Sequence, residues 1–79
     1  MLHLKNIRIE DGELRCHGIE TGVNACEFDI AIDVESHRLK HVTIPGYSFS
    51  TSFAYQKLVS LLKERGSDNM PKEAVAVWG

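Results

Sequence analysis

The clearest pattern in the chain is an alternation of apolar and polar side chains over residues 26–35, which read CEFDIAIDVE. Every second position is apolar, and the positions between them are acidic except for Ala31. A period of two is typical of a β-strand with one face on a core and the other in water. We therefore predict a strand here, with these acidic side chains exposed: Glu27, Asp29, Asp33 and Glu35.

A β-hairpin is predicted at the start of the chain. Residues 1–10 and 13–18 both alternate, and they flank Asp11-Gly12, a dipeptide that favours a tight turn because both central residues adopt positive φ. Pairing across this turn places Ile9 opposite Leu14, so that both side chains lie on one apolar face.

The beginning of this first strand is out of phase with the rest of it. Leu2 and Leu4 occupy even-numbered positions, whereas the later apolar residues Ile7 and Ile9 occupy odd-numbered ones. Two explanations remain open. Either a β-bulge near residues 5–6 changes the phase, or the start of the strand is covered on both faces.

The link between the second and third strands is predicted to be a three-residue loop over residues 20–22, with Gly22 in the left-handed position. This register places Leu14 opposite Phe28 and Cys16 opposite Cys26. A shift of one residue would move Leu14 to the wrong face, so the hydrophobic pattern agrees with the register. We therefore expect the two cysteines to be cross-strand neighbours.

The second half of the chain predicts a strand, a helix and a last strand. Residues 38–44 form the fourth strand, with a bulge near residues 40–41 where the apolar phase changes. From about Ser52 to Arg65 the apolar spacing becomes helical, and residues 74–78, which read AVAVW, form the fifth strand. The centre of the core is predicted to be Leu14, Phe28, Ile30, Ile32, Leu58, Leu61 and Leu62.

Together these elements predict a single small α+β domain over residues 1–79. The order is β-β-β-β-α-β, an antiparallel β-meander of four strands plus a C-terminal fifth strand, with one helix packed on one face of the sheet. A helix that returns across the sheet sends the last strand antiparallel to the first. We therefore expect the strand order 5-1-2-3-4.

Composition and charge narrow the class of function. A net charge of −2 and a pI near 6.0 argue against nucleic acid, because phosphate binding needs a clustered surplus of Lys and Arg. No apolar run approaches the ~20 residues that a membrane-spanning helix requires. The N-terminus alternates and does not resemble a signal peptide, so we expect a cytoplasmic protein with reduced cysteines and no disulfide.

The sequence contains no recognisable catalytic, metal-binding or cofactor-binding motif, and we expect neither an enzyme nor a bound cofactor. The four histidines are scattered, without HxH or HExxH spacing. Neither cysteine lies in a CxxC motif. The acidic strand face is expected to be a solvated surface on which Arg15 lies opposite Glu27.

The leading hypothesis is a non-catalytic protein–protein interaction or regulatory module that forms a homodimer through an edge strand. The apolar residues expected to remain for this contact are Leu2, Leu4, Val75, Val77 and Trp78. Trp78 has an equally open alternative, in which it fills the edge of the core. The alternative function is a small ligand- or metal-binding regulatory protein that uses the acidic sheet face or the Cys16/Cys26 pair.

Overall fold

The structure is a computed structural model that describes residues 1–22, 25–43 and 49–76. The elements within these ranges are β1 (Leu2–Glu10), β2 (Glu13–Glu20), β3 (Cys26–Asp33), β4 (Leu39–Val42), α1 (Phe49–Arg65), a short 3₁₀ turn (Ser67–Asn69) and β5 (Ala74–Ala76). The strands form one antiparallel sheet in the order β4-β3-β2-β1-β5, and α1 packs on one face. The predicted α+β class and strand order are confirmed.

A β-bulge divides β1. The register between β1 and β2 shifts between Lys5 and Arg8, and Asn6 between them has a φ of 53°. Asparagine tolerates this left-handed conformation better than most residues. The extra residue rephases the strand, so that Leu2 and Leu4 face the core and are completely buried. Of the two explanations for the phase of β1, the bulge is correct.

The pairing of β2 with β3 differs from the predicted register by four residues. Cys16 lies opposite Ile30, and Cys26 lies opposite Glu20. Because the shift is even, each side chain keeps its predicted face of the sheet. The prediction that the two cysteines are cross-strand neighbours is nevertheless wrong, and so is the three-residue loop, since the link spans residues 21–25.

Gly18 explains the difference. The sequence interpretation ends the second strand at this glycine, but in the structure it lies inside β2, directly opposite Phe28. A Cβ atom added at Gly18 would lie 2.5 Å from Cζ of Phe28. The glycine therefore leaves room for the phenyl ring, which is a common reason for glycine within a strand.

The turn between β3 and β4 is held by hydrogen bonds of Asp33. Its N–H donates to the Arg38 carbonyl over 2.9 Å, and its carboxylate accepts the Ser36 hydroxyl over 2.6 Å. The hydroxyl bond lowers the pKa of the Asp33 carboxyl. Beyond the turn the β3–β4 register shifts by one residue at Lys40, which confirms the predicted bulge.

Helix α1 begins at Phe49, earlier than the predicted start at Ser52, and ends at Arg65 as predicted. Gly66 follows with a φ of 77°, and its N–H donates to the Leu62 carbonyl over 2.9 Å. This bond satisfies a carbonyl of the last turn. The seven residues predicted for the core centre are all buried.

β5 pairs with β1 in the antiparallel direction, as predicted. Its predicted residues Val77 and Trp78 lie outside the described residues, as does Ile44 of the predicted fourth strand. Within residues 1–22, 25–43 and 49–76, the structure contains no helix with the length and apolar character to cross a membrane.

Candidate functional site

One edge of the sheet is formed by β5. Val75 lies opposite His3 and is 42% exposed. Both side chains point to the open face of the sheet, which is the face opposite α1. Of the predicted interaction residues, Val75 is thus placed on an accessible edge, whereas Val77 and Trp78 lie outside the described part of the chain.

Leu2 and Leu4 do not contribute exposed surface to this edge. Their side chains are completely buried and belong to the same core cluster as Ala54 and Leu58 of α1. The expectation that the monomer leaves them uncovered is wrong, because the bulge at Asn6 turns them towards the helix. Any contact through this edge therefore depends on β5 itself.

The open face carries a histidine held between two carboxylates. Nδ1 of His17 lies 2.9 Å from Oδ1 of Asp29, and Nε2 lies 3.3 Å from Oε1 of Glu27. Both ring nitrogens can donate at once only when the imidazole is protonated. The bond to Asp29, followed by the bond to Glu27, raises the pKa of His17 above its ordinary value of 6.5.

We expect this cluster to make stability depend on pH. Folding raises the pKa of His17, so the protonated ring stabilises the folded state. This stabilisation is fully present at pH values below the pKa of the unfolded chain, and it is lost as pH rises through the pKa of the folded protein. The side chain is 36% exposed, so the loss should be below about 1 kcal/mol. An NMR titration of the His17 ring measures the pKa directly.

Two matched variants test the same cluster. Asp29→Asn should lower the pKa of His17 more than Glu27→Gln does, because the Asp29 bond is the shorter and stronger of the two. Equal titration curves for the parent and both variants would contradict the assignment.

The His17 cluster is absent from the sequence interpretation. The predicted register places Arg15 opposite Glu27. In the structure Arg15 instead contacts Glu13 over 2.9 Å, and Glu27 contacts His17. The signal that could have found it is strand alternation, which puts the histidine and both carboxylates on one face. Among the described residues, no group of three or more His, Cys, Asp or Glu side chains is placed to hold a metal ion.

A shallow groove of about 390 Å³ crosses the open face above Ala31. Arg8 and Arg15 line one side of it. Arg8 is tied to Glu10 over 2.9 Å, and Arg15 also approaches Glu10, over 3.6 Å. Both arginines are therefore paired with carboxylates, and this side of the groove does not present an uncompensated positive charge to an anionic ligand.

The two cysteines are free thiols in different surroundings. Cys16 is buried in the core, and burial raises its pKa to about 12, so it remains protonated at neutral pH. Cys26 is partly exposed at the start of β3. Since they occupy different rungs of the ladder, they do not form the redox pair that the predicted register suggested.

The opposite edge of the sheet is formed by β4, and the sequence interpretation assigned no role to it. Leu39 at its start is 48% exposed. Its side chain and three residues of α1 line an apolar groove of about 190 Å³: Thr51, Ser52 and Tyr55. This groove joins segments that are far apart in the chain, so no local pattern marks it.

Comparisons with models of protein families, with curated proteins and with solved structures found no match to this chain.

Proposed function

We propose that this protein is a non-catalytic interaction module of the cytoplasm that forms a homodimer through the edge strand β5. The observation that carries the proposal is the exposed Val75 on a strand that pairs with β1 alone among the described strands. An edge strand presents unpaired N–H and C=O groups, which a second chain can bind by adding a strand.

The chemistry of β5 favours a second copy as its partner. Ala74, Val75 and Ala76 carry no charge, so two copies of this strand approach each other without electrostatic repulsion. A twofold axis near Val75 would place this side chain opposite the same residue of the second copy. Such a contact buries apolar surface and completes the main-chain hydrogen bonds of both edges.

The alternative function, binding of a small ligand or metal, has weaker support. Its two candidate sites were the acidic face and the cysteine pair. Glu27 and Asp29 of the acidic face already contact His17, and Cys16 lies opposite Ile30 rather than Cys26. The geometry therefore favours protein–protein contact.

We expect Val75→Asp to dissociate the dimer without unfolding the subunit. Two aspartates facing each other across the axis would repel, whereas in the monomer residue 75 is half-exposed and tolerates a charge. Light scattering at micromolar concentration measures the mass, and circular dichroism measures the fold.

Leu39→Asp is the matched control, because it places the same charge at an exposed apolar position on the other edge. It should remain a dimer. A monomeric parent protein, or a Val75→Asp variant that stays dimeric, would overturn the proposal.

A further inference from the structure

The β4 edge combines an unpaired strand edge with an adjacent apolar groove. β4 pairs with β3 alone among the described strands, and its first residue, Leu39, lies opposite Ile32. Leu39 forms one wall of the 190 Å³ groove, and Tyr55 of α1 forms part of the other. A strand edge beside a helix is a geometry in which an added peptide gains main-chain bonds and a pocket for one side chain.

A hydrogen bond joins the helix wall of this groove to the turn before β4. The Tyr55 hydroxyl donates to the His37 carbonyl in the turn that precedes β4. On the helix, Nε2 of Gln56 donates to Oγ of Ser52 over 3.3 Å. The groove is therefore built into the folded monomer rather than formed by ordering of loose segments, which lowers the entropic cost of binding.

Most of the charged side chains at this edge are basic, although the Asp33 carboxylate of β3 lines the same surface as Arg38 and Lys40. Arg38, Lys40 and His41 are all exposed, and within the described residues neither Arg38 nor Lys40 forms an ion pair. A second copy of β4 would place like charges across the new strand pair, which is unfavourable. Whereas β5 is uncharged and suits self-association, β4 repels itself and attracts acidic groups.

We propose that the β4 edge binds an extended acidic segment of another protein. The segment adds to the sheet beside β4, places an apolar side chain in the groove next to Leu39, and directs acidic side chains towards Lys40 and its neighbours. An extended segment can place apolar side chains in the groove and acidic side chains outside it, because successive side chains of a strand point to opposite faces. The site is independent of the β5 contact.

The basic side chains and the bulge at Lys40 have an alternative explanation, which is protection of the edge, because both features keep edge strands from aggregating. Protection alone does not require the half-exposed Leu39 or the apolar groove beside it. A binding experiment separates the two readings.

The probe is a short capped peptide in which glutamate and valine alternate, titrated into the isotope-labelled full chain and followed by NMR. The control peptide has lysine in place of glutamate. We expect saturable amide shifts at residues 39–42 and 51–55 with the acidic peptide only. Titration of the Val75→Asp variant should give the same affinity, which keeps this test independent of the dimer.

Two substitutions locate the site. Lys40→Glu should weaken binding of the acidic peptide by about tenfold, because it brings like charges together. Lys63→Glu makes the same charge change on an exposed residue of α1 and should leave the affinity unchanged. Leu39→Asp should also weaken binding, since it removes the apolar wall of the groove.

Three results would overturn the proposal. The first is equal binding of the acidic and basic peptides, and the second is a shift pattern outside the β4 edge and the groove. The third is concentration-dependent assembly that both Lys40→Glu and Val75→Asp abolish, because it would show that the occupant of β4 is β5 of a second copy.

Discussion

Replacing Phe28 with alanine should lower the free energy of unfolding by about 3–5 kcal/mol. The side chain is 1% exposed and is the largest fully buried side chain in the described part of the chain, so its removal leaves a cavity in the middle of the core. The total stability of a native domain is about 5–15 kcal/mol. Urea denaturation followed by circular dichroism measures the loss as a lower midpoint.

Leu39→Ala is the control for this change, because it also shortens a large apolar side chain but at a half-exposed position. It should change stability by less than about 0.5 kcal/mol. A Phe28→Ala variant that unfolds at the parent's midpoint would contradict the assigned core face.

Replacing Gly18 with alanine should cost about 1–3 kcal/mol, although it adds only one methyl group. The new Cβ atom would lie 2.5, 2.7 and 2.9 Å from three carbon atoms of the Phe28 ring. These distances are too short for carbon contacts, and the buried ring has little space into which it can move. The same urea measurement detects the loss.

A double-mutant cycle identifies the cause. Leucine at position 28 lacks the distal ring atoms that the new methyl group would meet. The Gly18→Ala substitution should therefore cost less in a Phe28→Leu background than in the parent protein. Strict additivity of the two substitutions would contradict a direct clash between residue 18 and the ring.

The faces of the strands could be predicted from the sequence because alternation is a local property. Ile30 and Ile32 occupy the core whichever residues they oppose, and the phase change after Leu4 predicted the bulge at Asn6 as one of two explanations. Strand order followed from short connections. The register of β2 against β3 could not be predicted, since it depends on the Phe28 ring packing over Gly18, a contact between two strands that alternation within each strand does not specify.

The candidate sites could not be predicted from the sequence either, because they also depend on contacts between separate elements. His17 meets Asp29 only in the observed register, because the predicted one places it opposite Ala25. The groove at the β4 edge arises where Leu39 approaches Tyr55, and this contact depends on where α1 begins and how it crosses the sheet. Alternation places His17, Glu27 and Asp29 on one face of the sheet, but it does not specify which residues meet across two strands or between a strand and a helix.

The position of β1 between β2 and β5 also has a consequence for the growing chain on the ribosome. β2 follows β1 almost at once, so the hairpin can form early in synthesis. The other side of β1 pairs through Leu2 with Ala76 and through Leu4 with Ala74, residues that are made much later. A strand that is interior in the finished sheet therefore keeps one unpaired edge until β5 has been made, and during that interval the edge can pair with neighbouring chains.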